Sequence, residues 1–225
     1  MKDSRPARGG RRTVKRILGR NFRRSYDRQS VWEQKWHRWM TEGSSPLWNT
    51  ESLPAEVEEA IETGWLPAEA TIVDIGCGSG ELAALLAERG FEAVGLDFAS
   101  SAIAQAREQH AVDRPDVNLT YEVADICGDV EGLGTFDALI DRGCFYGLDE
   151  AQHAAYADNV ASLCEPGTPF LMMCPIRDAP AEQRVATIGE ALGSHFAIER
   201  TELTSIGSGG SGRSIRAVTV WMIRV

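Results

Sequence analysis

The stretch "VDIGCGSGE", residues 73–81, follows a short apolar run and is rich in glycine. Its three glycines lie on alternate positions, at Gly76, Gly78 and Gly80. The G-x-G-x-x-G fingerprint of dinucleotide-binding turns requires a further glycine where this chain has Glu81. Asp74, two residues before the first glycine, places a carboxylate at the end of the preceding strand. We interpret the stretch as a turn that brings backbone close to a cationic ligand. The alternative is a tight strand-to-helix turn without a ligand.

Apolar segments alternate with helical segments along the chain. Strands are predicted at 70–76, 91–98, 119–126, 136–143 and 169–176, and helices at 79–90, 100–111, 150–167 and 181–194. Two further strands, 196–205 and 214–225, are joined only by "IGSGGSGR", which permits an antiparallel hairpin but no crossover. The pattern predicts an α/β fold with a doubly wound, Rossmann-like sheet of seven strands, mostly parallel with a C-terminal antiparallel hairpin. Such sheets bind ligands at the carboxyl ends of their strands.

Acidic residues end the second and third predicted strands. Asp97, with Phe98 beside it, is placed to accept hydrogen bonds from two ribose hydroxyls. Asp125 could accept a hydrogen bond from an adenine amine, and Ile126 could cover the ring. For Asp125, a helix cap or an exposed loop carboxylate is the alternative role.

The segments "VDIGCGSGE", "GLDFA" and "ADI" resemble the successive cofactor motifs of class I S-adenosylmethionine-dependent methyltransferases. The resemblance implies a methyltransferase whose cofactor is S-adenosyl-L-methionine. The residues implied in cofactor binding by these motifs are Asp74, Gly76, Gly78, Gly80, Asp97, Phe98, Asp125 and Ile126.

The segment after the fourth predicted strand indicates which class of methyl acceptor to expect. Amino methyltransferases that act on adenine or cytosine carry N/D-P-P-Y/F there, whereas this chain has "IDRGCFYGL", residues 140–148. The longer segment 136–167 resembles the thiopurine and thiol methyltransferases, in which D-R-G follows this strand. The segment "SVWEQKWHRWMTEGSSPLWNT", residues 30–50, is similar to the W-x-x-K/R-W segment of the same family. Together with the central motifs, this likeness covers residues 30–175.

The second resemblance implies roles for several residues. Trp32 and Trp36 would close over the methionine end of the cofactor, and Arg142 would pair with its carboxylate. Trp48 would be the aromatic residue on the substrate side. The alternative role for the tryptophans, above all for Trp39, is core packing as part of an amphipathic helix on the body of the domain. The residues expected to position the acceptor, besides Trp48, are Cys144, Phe145 and Tyr146.

The sequence contains no recognisable apparatus for proton transfer. We find no Ser-His-Asp set, no metal cluster and no paired carboxylates, so an acceptor that ionises easily is favoured. This predicts a small-molecule acceptor, first a thiol or heterocyclic thiol, with O- or N-methylation of a phenol or heterocycle as the alternative. No catalytic residue is assigned. His153 is a possible base, and a solvated position at a helix start is its alternative role.

The charge of the chain is unevenly distributed. Residues 1–28 contain eleven Lys or Arg and two Asp and therefore carry a net charge of +9. Because the formal net charge of the whole chain is −10, the remaining residues carry −19. We predict a basic, flexible arm at 1–28 and a methyltransferase domain at 29–225, in which residues 29–66 form a helical lid. The arm could be solvated, dock on its own acidic domain, bind nucleic acid or lie on a membrane surface. An RNA- or DNA-associated methyltransferase or S-adenosylmethionine-binding protein is therefore a second alternative, disfavoured by the absent N/D-P-P-Y/F motif.

No apolar run approaches the roughly 20 residues that cross a bilayer, and the N-terminus has no apolar core typical of a signal peptide. The five cysteines contain no C-x-x-C pair, and the four histidines show no metal-ligand spacing. We therefore expect a soluble, cytoplasmic protein without a bound metal.

Overall fold

A computed structural model describes residues 29–39, 41–42, 48–111, 117–207 and 214–225. The predicted basic arm at 1–28 lies outside the described residues. The predicted lid at 29–66 is described in part: residues 29–39 and 41–42 are helical and form α1, and helix α2 spans Ala55–Glu62. The division into arm, lid and domain stays a prediction.

A single sheet forms the centre of the described chain. Its strands are β1 (Thr71–Ile75), β2 (Glu92–Asp97), β3 (Leu119–Val123), β4 (Ala138–Asp141), β5 (Pro169–Pro175), β6 (Phe196–Gly207) and β7 (Ser214–Arg224). The seven strands are ordered β3-β2-β1-β4-β5-β7-β6. Strands β1 to β5 pair in parallel, and β7 pairs antiparallel with both β5 and β6. The predicted sheet, mostly parallel with an antiparallel hairpin at its end, is confirmed.

Helices cover both faces of the sheet. They are α3 (Glu81–Glu88), α4 (Ser100–Ala106), α5 (Glu150–Ser162) and α6 (Ala181–Leu192). Neighbouring strand residues point to opposite faces, so Val73 packs in a core with Tyr156 of α5, whereas Ile72 packs in a second core with Leu86 of α3. Every residue of β5 is buried. Apolar runs such as "FLMMC" are therefore explained by burial on two sides.

Several elements end earlier than predicted; the helix predicted at 150–167, for example, ends at Ser162. Strand β3 ends at Val123 because its partner β2 ends at Asp97, with which Val123 pairs. Asp125 consequently lies in the loop after β3 rather than at the strand's last position. The helix predicted at 100–111 is α-helical only to Ala106 and continues as a π-helical turn over Arg107–Ala111.

The topology places the strand ends at which a ligand is expected along one edge of the sheet. Because β1 to β5 are parallel, their carboxyl ends lie along the same edge of the sheet. Strand β6 runs in the direction of β5, since both are antiparallel to β7. The end of β6 and the start of β7 therefore reach this edge as well.

Candidate functional site

A cavity of about 570 Å³ opens at the carboxyl ends of the strands. Its walls combine the ends of β1, β2 and β4, the loop after β3, helix α1, and the hairpin of β6 and β7. The volume lies within the range of small-molecule sites, roughly 300–1,000 Å³. The cavity therefore has the size of a small-molecule site.

The glycine turn forms the floor of the cavity. Gly78 has φ of 58°, and a Cβ atom there would lie 2.9 Å from Cζ2 of Trp36. A Cβ atom on Gly76 would lie 2.6 Å from Cβ of Cys144. Both glycines line the cavity. The bare backbone thus permits α1 and the loop after β4 to approach the turn.

Gly80 is placed differently from the other two glycines. It does not line the cavity, and a Cβ atom there would lie 2.5 Å from Cε1 of Tyr121. The Tyr121 hydroxyl donates a hydrogen bond of 2.7 Å to the Gly80 carbonyl. The observed contacts of Gly80 are therefore with β3 rather than with the space for a ligand.

The predicted adenosine side of the site is assembled at β2 and β3. Asp97 lines the cavity and is only 9% exposed. Its carboxylate accepts hydrogen bonds from the backbone N–H groups of Gly78, at 3.0 Å, and Ala99, at 2.8 Å. A carboxylate offers about four lone-pair sites, so ribose hydroxyls could still bind. Phe98, Asp125 and Ile126 line the same part of the cavity.

Two charged side chains near the turn each carry a buried atom that has no hydrogen-bond partner among the described residues. The atoms are Oδ2 of Asp74 and Nε of Arg142. Burial raises the pKa of the Asp74 carboxyl to about 7, and the positive charge of Arg142 opposes this rise. Burial likewise lowers the pKa of the Arg142 guanidinium. Arg142 lines the cavity, whereas Asp74 lies behind its wall.

These atoms test whether S-adenosylmethionine fits the site. A guanidinium with an unpaired Nε suits the methionine carboxylate of the cofactor. A buried carboxylate with an unpaired oxygen suits a nearby positive charge. Together with Gly76, Gly78 and Asp97, which line the same cavity as Arg142, these residues fit this cofactor.

The tryptophans of the N-terminal segment form a cluster beside the cavity. Trp39 is central: its ring centroid lies 5.1 Å from that of Trp36, 5.2 Å from that of Trp48 and 6.5 Å from that of Trp32. All four rings line the cavity. Trp36 is 2% exposed and packs on Ala99 and Ala102. The cluster thus combines core packing with a wall of the site, and Trp39, for which packing was the alternative, does both.

Polar contacts fix this segment to the domain. The Arg142 guanidinium donates a hydrogen bond to the Trp48 carbonyl. Asn49 donates to Glu81 at 2.6 Å, and Glu33 of α1 accepts from the backbone N–H of Ser100 at 2.6 Å. Glu81, which replaces the third glycine of the dinucleotide fingerprint, therefore anchors the segment beside the turn.

The predicted acceptor-positioning residues are only partly brought to the cavity. Cys144 and Tyr146 line it. Phe145 is 2% exposed and points into the core instead. His153 is not part of the lining, because its ring stacks on Phe145 with the centroids 4.5 Å apart. Neither Phe145 nor the possible base His153 reaches the cavity in this arrangement.

Several lining residues were not predicted from the sequence. They include Lys35, Trp39, Pro175, Arg177, Ile206 and Ile215. Arg177 follows β5, so the rule that sites follow strand ends could have indicated it. No sequence signal indicates Ile206 and Ile215, because their place depends on the hairpin's length and register.

The described residues contain no group of His, Cys, Asp or Glu that could hold a metal ion. Within the same described part of the chain, no helix is long and apolar enough to cross a membrane.

Comparison with known proteins addresses the central part of the chain. The family model described as a methyltransferase domain matches residues 72–167. This segment contains the glycine turn, Asp97, Asp125 and Arg142, so the match falls on the motifs that resemble those of class I methyltransferases.

Curated relatives include a 2-heptyl-1-hydroxyquinolin-4(1H)-one methyltransferase of Mycobacteroides abscessus, 32% identical over 57% of this chain and 55% of the relative. An uncharacterized methyltransferase of Schizosaccharomyces pombe is 30% identical over 41% of this chain and 63% of the relative. The chain thus spans only 55% and 63% of the lengths of these relatives.

Solved structures share the fold of the methyltransferase domain. One, described in work on the conversion of a disulfide bond into a thioacetal group during echinomycin biosynthesis, has a TM-score of 0.71 at 21% identity, covering 87% of this chain and 92% of that one. Magnesium protoporphyrin IX methyltransferase from Synechocystis PCC 6803, with bound S-adenosylmethionine, has a TM-score of 0.60 at 22% identity, covering 76% and 77%. At these identities the likeness establishes the fold.

Proposed function

We propose that the whole chain is an S-adenosylmethionine-dependent methyltransferase that acts on a small, planar acceptor. The observation that carries this proposal is the division of one cavity into two chemically different halves. The half at β1, β2 and β3 contains Asp97, Asp125 and the glycine turn, and Arg142, which directly follows β4, belongs to it. Apart from Arg177, the half at β4 to β7 is lined by apolar and aromatic side chains and by glycines.

In this proposal, the first half holds the cofactor. Asp97 accepts hydrogen bonds from the ribose, and Arg142 pairs with the methionine carboxylate. Trp32 and Trp36 exclude water from the reacting end, since a wall of indole rings offers little hydration. When bound, S-adenosylmethionine supplies the methyl group as an electrophile and leaves as S-adenosylhomocysteine. The chain's main task is to orient the two reactants.

The second half receives the acceptor in this proposal. Tyr146 follows β4, and Ile206 and Ile215 are paired residues near the turn of the hairpin. Trp48 and Pro175 extend this apolar wall, and Arg177 adds one positive charge to it. A flat aromatic or heteroaromatic ring with an apolar substituent matches such a wall better than a sugar or a peptide does.

We propose that the acceptor atom is ionised before the transfer. Among the described residues that line the cavity there is no histidine, and the two carboxylates, Asp97 and Asp125, lie in the cofactor half. An acceptor that loses its proton to solvent near neutral pH needs no base from the protein. A thiol or heterocyclic thiol meets this condition and is our first candidate, in agreement with the D-R-G resemblance.

An acidic hydroxyl on a heterocycle is the second candidate. It is favoured by the relative from Mycobacteroides abscessus, whose name specifies a hydroxyquinolone. N-hydroxyl groups of this kind also ionise without a strong base. Both candidates therefore share a planar ring and an anionic acceptor atom, and they differ in the element that is methylated.

A comparison of matched acceptors tests the proposal. We would measure kcat/KM for 4-nitrothiophenol, 4-nitrophenol and 1-hydroxyquinolin-4-one from pH 6 to pH 9, with total RNA as a further substrate. The thiol should be preferred at neutral pH, with its advantage decreasing where the phenol also ionises. Preference for the hydroxyquinolone would support the second candidate. Methylation of RNA in preference to all three would overturn the small-molecule proposal.

A further inference from the structure

The carboxylate of Asp141 is the centre of a buried hydrogen-bond network at the end of β4. Asp141 is 0% exposed. Its Oδ1 accepts from the N–H groups of Gly143 and Cys144, both at 2.8 Å. Its Oδ2 accepts from the N–H of Phe145 at 2.9 Å and from the hydroxyl of Tyr156 at 2.5 Å. Four donors thus converge on one side chain.

This network determines the shape of the loop that enters the cavity. The N–H groups of three consecutive residues, Gly143 to Phe145, all donate to Asp141, so its carboxylate holds the backbone of the loop in one conformation. Arg142, Cys144 and Tyr146 line the cavity, while Asp141 itself does not. The carboxylate is therefore too enclosed to contact a cofactor, yet it holds the loop whose side chains do.

Tyr156 connects the loop to the rigid body of the domain. It lies within helix α5, is 0% exposed, and its ring centroid is 5.3 Å from that of Phe145. Burial raises the pKa of Asp141 to about 6, and the Tyr156 hydroxyl and the three N–H groups favour its ionised form. Without the hydroxyl, Oδ2 would keep only one described donor, and the loop would lose its hydrogen bond to α5.

We infer that Asp141 and Tyr156 are positioning residues, which hold the loop after β4 in the arrangement that presents Arg142 to the cofactor. This inference rests on the proposed function, because it assigns the cofactor carboxylate to Arg142. It concerns residues that act through another side chain rather than on the reacting atoms.

A double-mutant cycle on cofactor affinity tests the inference. The variants are Tyr156→Phe, Arg142→Met and their combination, and the measurement is calorimetric titration of the full chain with S-adenosylhomocysteine. Tyr156→Phe should weaken binding roughly three- to tenfold in the wild-type background. In the Arg142→Met background the same change should have almost no effect, because the side chain that Tyr156 positions is then absent.

Two further variants separate positioning from general stability. Asp141→Asn removes the negative charge at similar size and should also weaken binding, and it serves if Tyr156→Phe does not fold. Thr219→Val removes another buried hydroxyl, which lies 2.8 Å from that of Thr204 and away from the cavity. This control should lower stability without changing the affinity for S-adenosylhomocysteine. In hydrogen-exchange measurements, the Gly143, Cys144 and Phe145 amides should exchange faster in Tyr156→Phe than in the wild type. In the control Thr219→Val their exchange should be unchanged.

The outcomes distinguish a failure of the inference from a failure of the proposed function. If Tyr156→Phe lowers stability but leaves affinity unchanged, or if its effect adds to that of Arg142→Met, the inference is overturned while the proposed function stands. If the wild-type protein does not bind S-adenosylhomocysteine, the proposed function fails, and the inference fails with it.

Discussion

Replacing Asp74 by asparagine should stabilise the cofactor-free protein at pH 8 and weaken its affinity for S-adenosylhomocysteine. Burial raises the pKa of the Asp74 carboxyl from 3.8 to about 7, even though Arg142 opposes this rise. At pH 8 the native protein therefore holds a buried carboxylate with an unpaired oxygen, whereas the unfolded chain ionises the same group in water. Asparagine keeps the shape and removes the buried charge.

The size of the expected gain in stability follows from the pKa of Asp74 in the unfolded and in the folded state. A pKa change from 3.8 to about 7 corresponds to about 4 kcal/mol, at about 1.4 kcal/mol per unit. Because Arg142 loses a countercharge in the variant, we expect a gain of about 1–4 kcal/mol in the free energy of unfolding at pH 8. Between pH 4 and pH 7 the native state binds more protons at Asp74 than the unfolded state does. The contribution of Asp74 to stability therefore falls as pH rises, by at most about 1.4 kcal/mol per pH unit.

Urea denaturation of the full chain from pH 5 to pH 8, without cofactor, measures both quantities. Asp74→Asn should show a smaller decrease of stability with pH than the wild type. Glu92→Gln, at an exposed position at the start of β2, is the matched control and should change little. A variant less stable than the wild type at pH 8 would refute the argument from burial. Unchanged affinity for S-adenosylhomocysteine would refute a role for Asp74 near the cofactor.

Three further changes test other parts of the site. Asp97→Asn should weaken S-adenosylhomocysteine binding by about 1.5–3 kcal/mol, the range for hydrogen bonds to a charged group, as measured by calorimetry on a variant with unchanged thermal unfolding. Gly80→Ala should be the more destabilising of two glycine changes, because its Cβ would lie against Tyr121, whereas Gly90→Ala meets only backbone strain; equal melting temperatures would contradict this. Ile215→Ala should lower kcat/KM for 4-butylthiophenol more than for thiophenol, and an equal loss for both would exclude the hairpin from the acceptor site.

The sequence predicted those parts of the site that depend on strand ends. Asp97 was predicted because parallel strands end at one edge of the sheet, whereas Arg142 was predicted only from the resemblance of the D-R-G segment to a known family. Both residues line the cavity. The sequence predicted the arrangement of the tryptophans only in part, because helical spacing does not show which side of α1 faces a ligand. Trp39 illustrates this limit, because it both packs in the cluster and lines the cavity.

Other features depend on contacts that no local pattern encodes. The bond between Asp141 and Tyr156 joins residues 15 apart on different elements, and it requires the relative positions of β4 and α5. His153 was a reasonable base by its place after the D-R-G segment, yet its ring stacks on Phe145 instead. Ile206 and Ile215 reach the cavity because the hairpin is long enough to extend to the sheet's edge.

The position of β7 has a consequence for how the protein acquires its structure during synthesis. Strand β7 follows β6 in the chain but lies between β5 and β6 in the sheet. Until the ribosome has produced β7, the buried, apolar strand β5 has an unpaired edge, and β6 has no neighbour to join. Exposed edges of this kind promote aggregation. We therefore expect nascent chains that stop before residue 214 to depend on chaperones, and the sheet to close only when the hairpin adds as a unit.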